Sequence, residues 1–102
     1  WFGPKRVSDL PVDLDSLPPI DVVIISHDHY DHLDAPTIDR LGDRPHYLVP
    51  LGFKEWLADR GIIRKVTELD WWEGVEIRGV RFVATPSQHW CARSHIDRNE
   101  RL

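Results

Sequence analysis

The segment from residue 21 to residue 26 constrains the fold most strongly. Residues 22–25 are four consecutive β-branched apolar residues, with two prolines shortly before them and polar residues after them. A short continuous apolar run between such boundaries is typical of a strand buried on both faces in the centre of a sheet. We therefore predict a central strand over residues 21–26.

The segments that follow this strand alternate between helices and strands. Asp34 is suited to cap a helix over residues 35–41, whose first turn accepts Pro36. The apolar spacing of Phe53, Trp56 and Leu57 predicts a second helix, which Gly61 ends. Further strands are predicted over residues 47–49, 62–69, 75–77 and 80–84, the last two forming either a hairpin around Gly79 or two sequential strands. This order of elements is typical of an α/β protein.

A cluster of histidines and acids follows the first predicted strand. The spacing is H-x-H-x-D-H, starting at His27. Residues two apart in an extended segment point to the same side, so His27, His29 and Asp31 are expected to converge on one point. His32 is expected to face a second point nearby.

Imidazole nitrogen and carboxylate oxygen suit zinc and similar divalent ions, and the lack of cysteine in the cluster favours a catalytic metal site over a structural one. The alternative is a polar loop whose histidines only cap the strand and the next helix. So dense a cluster at the carboxyl end of a strand favours the metal site.

The remaining histidines lie in different contexts. His89 follows a strand and a Thr-Pro turn, and its local pattern leaves ligation and a structural role open. His46 precedes a strand and is interpreted as a structural or surface residue and not as a ligand, while His95 is assigned no role. Cys91 lies near His89, but a thiol nucleophile is disfavoured because no third orienting group is visible.

Composition argues against several classes of protein. Of the 102 residues, 41% are hydrophobic and 29% are charged, a balance typical of a folded domain. The length allows one such domain at most. The formal net charge is −4 and the basic residues are scattered, which argues against nucleic-acid binding. No apolar run is long enough to span a bilayer, so membrane contact is expected to be peripheral at most. The single cysteine cannot form an internal disulfide, and a cytoplasmic location is expected.

Several segments resemble motifs of a known enzyme family. Residues 27–34 and 85–93 resemble the corresponding motifs of the metallo-β-lactamase superfamily. Within it, they are most similar to the zinc hydrolases related to N-acyl-phosphatidylethanolamine-hydrolysing phospholipase D. Residues 3–6, 17–21 and 68–73 also resemble that subgroup and occur in the same order. The resemblance implies part of an αβ/βα sandwich, with a mixed sheet, helices on one face and metal ligands on loops at one sheet edge.

The resemblance also implies roles for individual residues. It implies that His27, His29 and His89 hold one metal ion, and that Asp31 and His32 belong to a second. Zinc is the expected cofactor, with two ions in a complete site and other divalent metals as alternatives. Tyr30 is implied as a wall of the substrate pocket.

The expected nucleophile is water. Two neighbouring divalent ions can lower the pKa of bound water to about 7 and hold a phosphodiester during in-line attack. Asp31 is the candidate catalytic residue, because it would position that water or accept its proton. Arg93 is a candidate bidentate donor to a phosphate. A solvated surface arginine is an equally good interpretation of Arg93.

The sequence departs from the complete family pattern. Complete members have a preceding strand pair and a further half that supplies a bridging aspartate and a last histidine. The acids after His89, Asp97 and Glu100, lie in a polar tail without the right context. The chain also starts at Trp1 and contains no methionine. We therefore expect residues 1–102 to be the N-terminal portion of a single, incomplete metallo-β-lactamase-like domain.

The expected function of the intact protein is zinc-dependent hydrolysis of a phosphodiester through a metal-bound hydroxide. The expected substrate is a phospholipid of the N-acyl-phosphatidylethanolamine type, and no nucleic-acid partner is expected. One alternative is a sister hydrolase of lactones or other phosphoesters, which uses the same ligands. Another is a catalytically silent metal-binding fragment that needs its missing half. Its exposed sheet edges would be covered by that half, or by self-association with a second copy of the chain.

Overall fold

The structure is a computed structural model that describes residues 13–29 and 32–87. Within these residues, a short 3-10 helix, Leu14–Ser16, precedes the strands and α-helices. In chain order these are β1 (Val22–Ile24), α1 (Ala35–Leu41), β2 (His46–Pro50), α2 (Phe53–Ala58), β3 (Val66–Leu69), β4 (Gly74–Ile77) and β5 (Val80–Val83).

Strands β1, β2 and β3 form a parallel sheet in that order. Ile24 lies opposite Leu48, and Leu48 lies opposite Thr67. Parallel neighbours need a crossover connection, which α1 provides between β1 and β2 and α2 provides between β2 and β3. Strands β4 and β5 pair antiparallel in a second, two-stranded sheet. Helices combined with parallel and antiparallel strands confirm the predicted α/β class.

The core lies between the parallel sheet and the two helices. Tyr47 and Val49 of β2 are two apart, so they point to the same face of the sheet. Both are buried in one cluster with Ile38 of α1 and with Phe53 and Leu57 of α2. Both helices therefore pack on one face of the parallel sheet. None of the helices in the described ranges is long and apolar enough to cross a membrane.

The position of β1 in the sheet differs from the prediction. The sequence predicts a central strand buried on both faces, whereas β2 is central and β1 is an edge strand among the described residues. Ile24 is 64% exposed, while Tyr47, Leu48 and Val49 of β2 are all buried. The apolar run of β1 identifies a strand correctly, but strand order depends on which segments pair, and the pattern of one strand does not contain that information.

Strand β3 is shorter than the predicted strand over residues 62–69. Ile62 donates its backbone N–H to the carbonyl of Leu57 at 3.0 Å. Ile63 and Arg64 donate theirs to the carboxylate of Asp43, at 2.9 and 3.1 Å. Because these N–H groups are already engaged, they are not available for a strand ladder, and β3 begins at residue 66.

The β4–β5 pair is a hairpin, which is one of the two predicted alternatives. Arg78 and Gly79 connect the strands, and their φ angles are 51° and 79°. Two positive φ angles are required by the type I′ turn, the tight connection that matches the twist of a hairpin. The Arg78 guanidinium also lies 3.2 Å from the carboxylate of Asp21, so the hairpin tip lies beside the start of β1.

Candidate metal centre

The candidate centre begins where β1 leaves the sheet. The backbone N–H of Ile25 still donates to the carbonyl of Leu48 at 3.0 Å, and its side chain is in the core. His27 and His29 follow within four residues of that anchor and are half-buried. They therefore lie at the carboxyl edge of a parallel sheet, where α/β proteins commonly bind ligands.

Three imidazole rings lie side by side at this edge. The ring centroids of His27 and His29 are 4.7 Å apart, in an edge-to-face arrangement with an interplanar angle of 80°. The ring of His32 lies 4.2 Å from that of His27, centroid to centroid. His27 thus contacts both other rings, and one short loop assembles a group of nitrogen donors.

A tight turn brings His32 back towards His27. The carbonyl of His29 accepts hydrogen bonds from the backbone N–H groups of His32 and Leu33, at 2.9 and 2.8 Å. Leu33 is 1% exposed and is part of the core, so it holds the far side of the turn in place. Asp34 then caps α1 by accepting a hydrogen bond from the backbone N–H of Thr37 at 3.1 Å. The loop is consequently fixed at both ends.

The local contacts of His27 bear on which of its nitrogens can bind a cation. Its Nδ1 lies 2.8 Å from the hydroxyl of Ser26, and its Nε2 is buried, as is the Nε2 of His29. If Nδ1–H donates to Ser26 Oγ, the lone pair of the imidazole is on Nε2. In that tautomer, the contact with Ser26 would orient the ring as a metal ligand needs.

Asp28 is a residue that the sequence analysis did not single out. Its side chain is charged, yet it is only 1% exposed. Among the described residues, no other charged residue is buried. In an extended segment, successive side chains point to opposite sides, so the residue between two histidines points away from them. This alternation is the sequence signal that could have predicted an interior position for Asp28. Asp28 therefore lies on the interior side of the loop.

Other predicted site residues lie outside the described ranges. These are Tyr30 and Asp31 within the loop, and His89 and Arg93 beyond residue 87; Cys91 and His95 lie there too. Within residues 13–29 and 32–87, no three His, Cys, Asp or Glu side chains are placed so that they could hold one metal ion. The roles of His27, His29 and His32 as ligands therefore stay a prediction, although the three rings are adjacent.

His46 has a structural position, in agreement with its interpretation from the sequence. Its Nε2 lies 2.7 Å from the hydroxyl of Thr67 on the neighbouring strand β3. This contact links the two strands away from the three-ring cluster.

The ends of the neighbouring parallel strands lie at the same edge as the histidines. Here Glu68 of β3 accepts hydrogen bonds from the backbone N–H groups of Gly52 and Lys54, at 2.7 and 3.1 Å. A carboxylate at this position satisfies free N–H groups at the start of α2 and complements the helix dipole. Glu68 therefore ties α2 to β3 at the same edge of the sheet, a role that the sequence analysis did not predict.

Comparison with known proteins decides the family. A family model described as "Beta-lactamase superfamily domain" matches residues 1–102. The chain belongs to this superfamily. Membership agrees with the α/β architecture and with a histidine-rich loop at the carboxyl end of a strand.

Curated relatives within the superfamily cover nearly all of the chain. It is 40% identical over 113 residues to N-acyl-phosphatidylethanolamine-hydrolyzing phospholipase D 1 of Caenorhabditis elegans, with 100% of the chain and 32% of that protein covered. It is 35% identical to the mitochondrial N-acyl-phosphatidylethanolamine-hydrolyzing phospholipase D of Saccharomyces cerevisiae, covering 99% of the chain and 23% of that protein. An uncharacterized protein of Mycobacterium tuberculosis is 40% identical, with 98% of the chain and 27% of that protein covered. The chain thus spans a third or less of the length of these relatives.

Proposed function

We propose that the protein containing this chain is a zinc-dependent hydrolase of phosphodiesters, and that its substrates are phospholipids of the N-acyl-phosphatidylethanolamine type. The observation that carries this proposal is the group of three adjacent imidazoles, His27, His29 and His32, at the carboxyl end of β1. Its position in a chain of the beta-lactamase superfamily supports a hydrolytic site.

The chemistry of the donors supports a divalent ion as the cofactor. Neutral imidazole is a common zinc ligand, and the Nε2 atoms of His27 and His29 are shielded from solvent. We propose that these two residues and His89 hold one ion, and that Asp31 and His32 contribute to a second. Divalent ions in such a site supply Lewis-acid chemistry, which activates water and offsets negative charge on a phosphodiester.

The chain's own residues would orient this chemistry. Ser26 holds Nδ1 of His27, so that its Nε2 is directed to the opposite side of the ring. The buried Leu33 and the cap at Asp34 hold the chain in place just after His32, which lowers the cost of positioning that residue. In the proposed reaction, the carboxylate of Asp31 accepts the proton of the attacking water. The guanidinium of Arg93 binds a phosphate oxygen and Tyr30 lines the pocket.

The substrate class comes from the relatives' names. Two of them are named as phospholipases D that hydrolyse N-acyl-phosphatidylethanolamine. Their identity of 40% and 35% extends over nearly the whole chain, and so over the histidine loop and the segment that contains His89. We extend their substrate class to this protein on that basis.

The proposal is tested by metal analysis and turnover measured together. The purified protein is expected to bind zinc and to release phosphatidic acid from N-acyl-phosphatidylethanolamine, while a lactone is left intact. His27→Ala should lose both zinc and turnover. The matched control is His46→Ala, which removes an imidazole that contacts Thr67 instead of the ring cluster, and it should keep its zinc.

Three results would contradict the proposal. Lactone turnover without phosphodiester turnover would assign the protein to another hydrolase class. Zinc binding with neither activity would favour a silent metal-binding protein. Equal zinc content in His27→Ala and the wild type would remove His27 from the ligand set.

A further inference from the structure

Two adjacent tryptophans are the most exposed aromatic feature of the described residues. Trp71 is 54% exposed and Trp72 is 70% exposed, in the turn between β3 and β4. We refer to residues 70–73 as the tryptophan turn. An indole that lies open to water is costly, because it leaves a large apolar area solvated.

The tryptophan turn lies on the same edge of the sheet as the histidine loop. β1, β2 and β3 are parallel, so the chain leaves all three at one edge. The register aligns Ile24 with Leu48 and Leu48 with Thr67. The histidines start three residues beyond Ile24 and the tryptophans four residues beyond Thr67. Two strand spacings, about 10 Å, separate the ends of β1 and β3, from which the loop and the turn leave the sheet.

Hydrogen bonds hold the tryptophan turn rigid. The carboxylate of Asp70 accepts from the backbone N–H of Trp71 at 2.7 Å, and the carboxylate of Glu73 accepts from the N–H of Asp70 at 2.8 Å. Trp72 donates its N–H to the carbonyl of Ala84 at 2.6 Å. The indoles are therefore displayed on a fixed backbone rather than on a loose loop.

The backbone conformation of Trp72 is unusual for a bulky residue. Its φ angle is 67°, in the left-handed region that glycine and asparagine accept and that bulky side chains disfavour. Such strain at an exposed side chain is a feature that clusters at functional sites, which supports a role for the indole itself.

The charges of the turn favour one kind of partner. Asp70 and Glu73 flank the indoles and are exposed, so the turn carries two carboxylates beside two aromatic faces. Carboxylates and indole faces both attract ammonium groups, whereas carboxylates repel anionic lipids. Indoles are also the side chains that concentrate at the interface between lipid and water.

We propose that the tryptophan turn docks the protein on a zwitterionic phospholipid surface, beside the histidine site. The indoles enter the interface, and the two carboxylates face the ammonium groups of the lipid head groups. The choice of a phospholipid as partner rests on the proposed function. This docking would bring the substrate's phosphodiester to the edge of the sheet where the histidines lie.

The test is binding of the metal-loaded protein to vesicles of phosphatidylcholine, which contain no cleavable substrate. The variants are Trp71→Ser and Trp72→Asn; asparagine is chosen because it accepts the φ angle of residue 72. The control is Ile63→Ser, since Ile63 is 67% exposed and precedes β3, at the opposite edge of the sheet. Each tryptophan variant is expected to weaken vesicle partitioning by about tenfold, which is the loss of a side chain's apolar burial. Ile63→Ser is expected to bind like the wild type.

Several outcomes would overturn the docking proposal. One is that the wild type fails to bind phosphatidylcholine vesicles, and another is that the tryptophan variants bind them as well as the wild type does. Tighter binding when anionic lipid is added would be a third such outcome. Shielding of the two indoles from a soluble quencher in the absence of vesicles would also overturn it, because another protein surface would then cover the turn. Since these readouts need no turnover, a failure of the proposed hydrolase activity leaves them interpretable.

A separate activity assay distinguishes docking from chemistry. If docking alone is lost, the tryptophan variants hydrolyse a short-chain soluble phosphodiester like the wild type and are slowed only on vesicles. Loss of both activities, with unchanged vesicle binding, would instead place the tryptophans in the site and contradict the docking role.

Discussion

Asp34 is the residue that ends the histidine loop and begins α1. Its carboxylate accepts hydrogen bonds from the backbone N–H and the hydroxyl of Thr37. Removing such a cap leaves an N–H group of the first turn without its partner, so Asp34→Ala is expected to lower the free energy of unfolding by about 1 kcal/mol. Urea denaturation measures this change.

Two further variants separate capping from charge. Asp34→Ser keeps an oxygen that can cap the helix and is expected to recover most of the loss. Asp59→Ala removes the same charge at the other end of a helix, because Asp59 is the exposed C-cap residue of α2. Equal destabilisation by Asp34→Ala and Asp59→Ala would contradict the capping role.

Tyr47 gives the protein a pH dependence at alkaline pH. Its ring is fully buried in β2, and its hydroxyl donates to the carbonyl of Gly42 at 2.6 Å. Burial, with a smaller contribution from the charge of Asp43, raises the pKa of Tyr47 from 10.0 to about 12. The folded state therefore holds the proton more tightly than the unfolded state does.

The sign of this effect follows from the raised pKa. Stability from Tyr47 is fully present below pH 10 and is lost as the pH rises from about 10 to about 12, by about 2–3 kcal/mol in all. Urea denaturation of the wild type and Tyr47→Phe at pH 8 and at pH 11–12 measures it. Tyr47→Phe should be less stable than the wild type at pH 8, and the difference should shrink or reverse at the higher pH. An unchanged difference would contradict the raised pKa.

The link between α2 and β3 belongs to the scale of whole elements. A single carboxylate, Glu68, satisfies two backbone N–H groups at the start of α2. Glu68→Ala is expected to destabilise the protein by about 1–3 kcal/mol, because it removes hydrogen bonds to a charged acceptor. Thermal unfolding and hydrogen exchange at Gly52 and Lys54 measure the effect. Glu76→Ala, in the β4–β5 hairpin, is the control, and faster exchange confined to α2 is the expected signature.

Element boundaries could be predicted from the sequence where the signals are local. The apolar run of β1, the Asp-x-Pro start of α1 and the Arg-Gly turn of the hairpin each report on a few neighbouring residues. The start of β3 could not be predicted in this way. Residues 62–65 look like a strand, but Asp43, about twenty positions earlier in the chain, takes the N–H groups that a strand needs.

The same distinction applies to the candidate site at the scale of the whole molecule. Its place at the end of β1 follows from the local pattern, and the adjacency of His27 and His29 follows from the extended chain. The approach of His32 to His27 required the turn at the carbonyl of His29, and the pairing of His46 with Thr67 required the order of the strands. Neither contact can be predicted from the spacing of residues within one segment. The ligand roles and the extent of the domain stay predictions.

Metal removal is a test of the whole molecule, because a ligand that binds only the folded state stabilises every element that the site connects. The histidine loop lies between β1 and α1, and both ends of the loop reach the core through Ile25 and Leu33. At a free zinc concentration one hundred times the Kd, binding would contribute about 2.7 kcal/mol, or on the order of 10–20 °C in Tm for a domain of this size. Chelation of the metal-loaded protein is therefore expected to lower Tm by that amount. His27→Ala should show a small shift on chelation and His46→Ala a full one, by differential scanning calorimetry. If His27→Ala lost as much Tm on chelation as the wild type, the stabilising ion would bind outside the histidine loop.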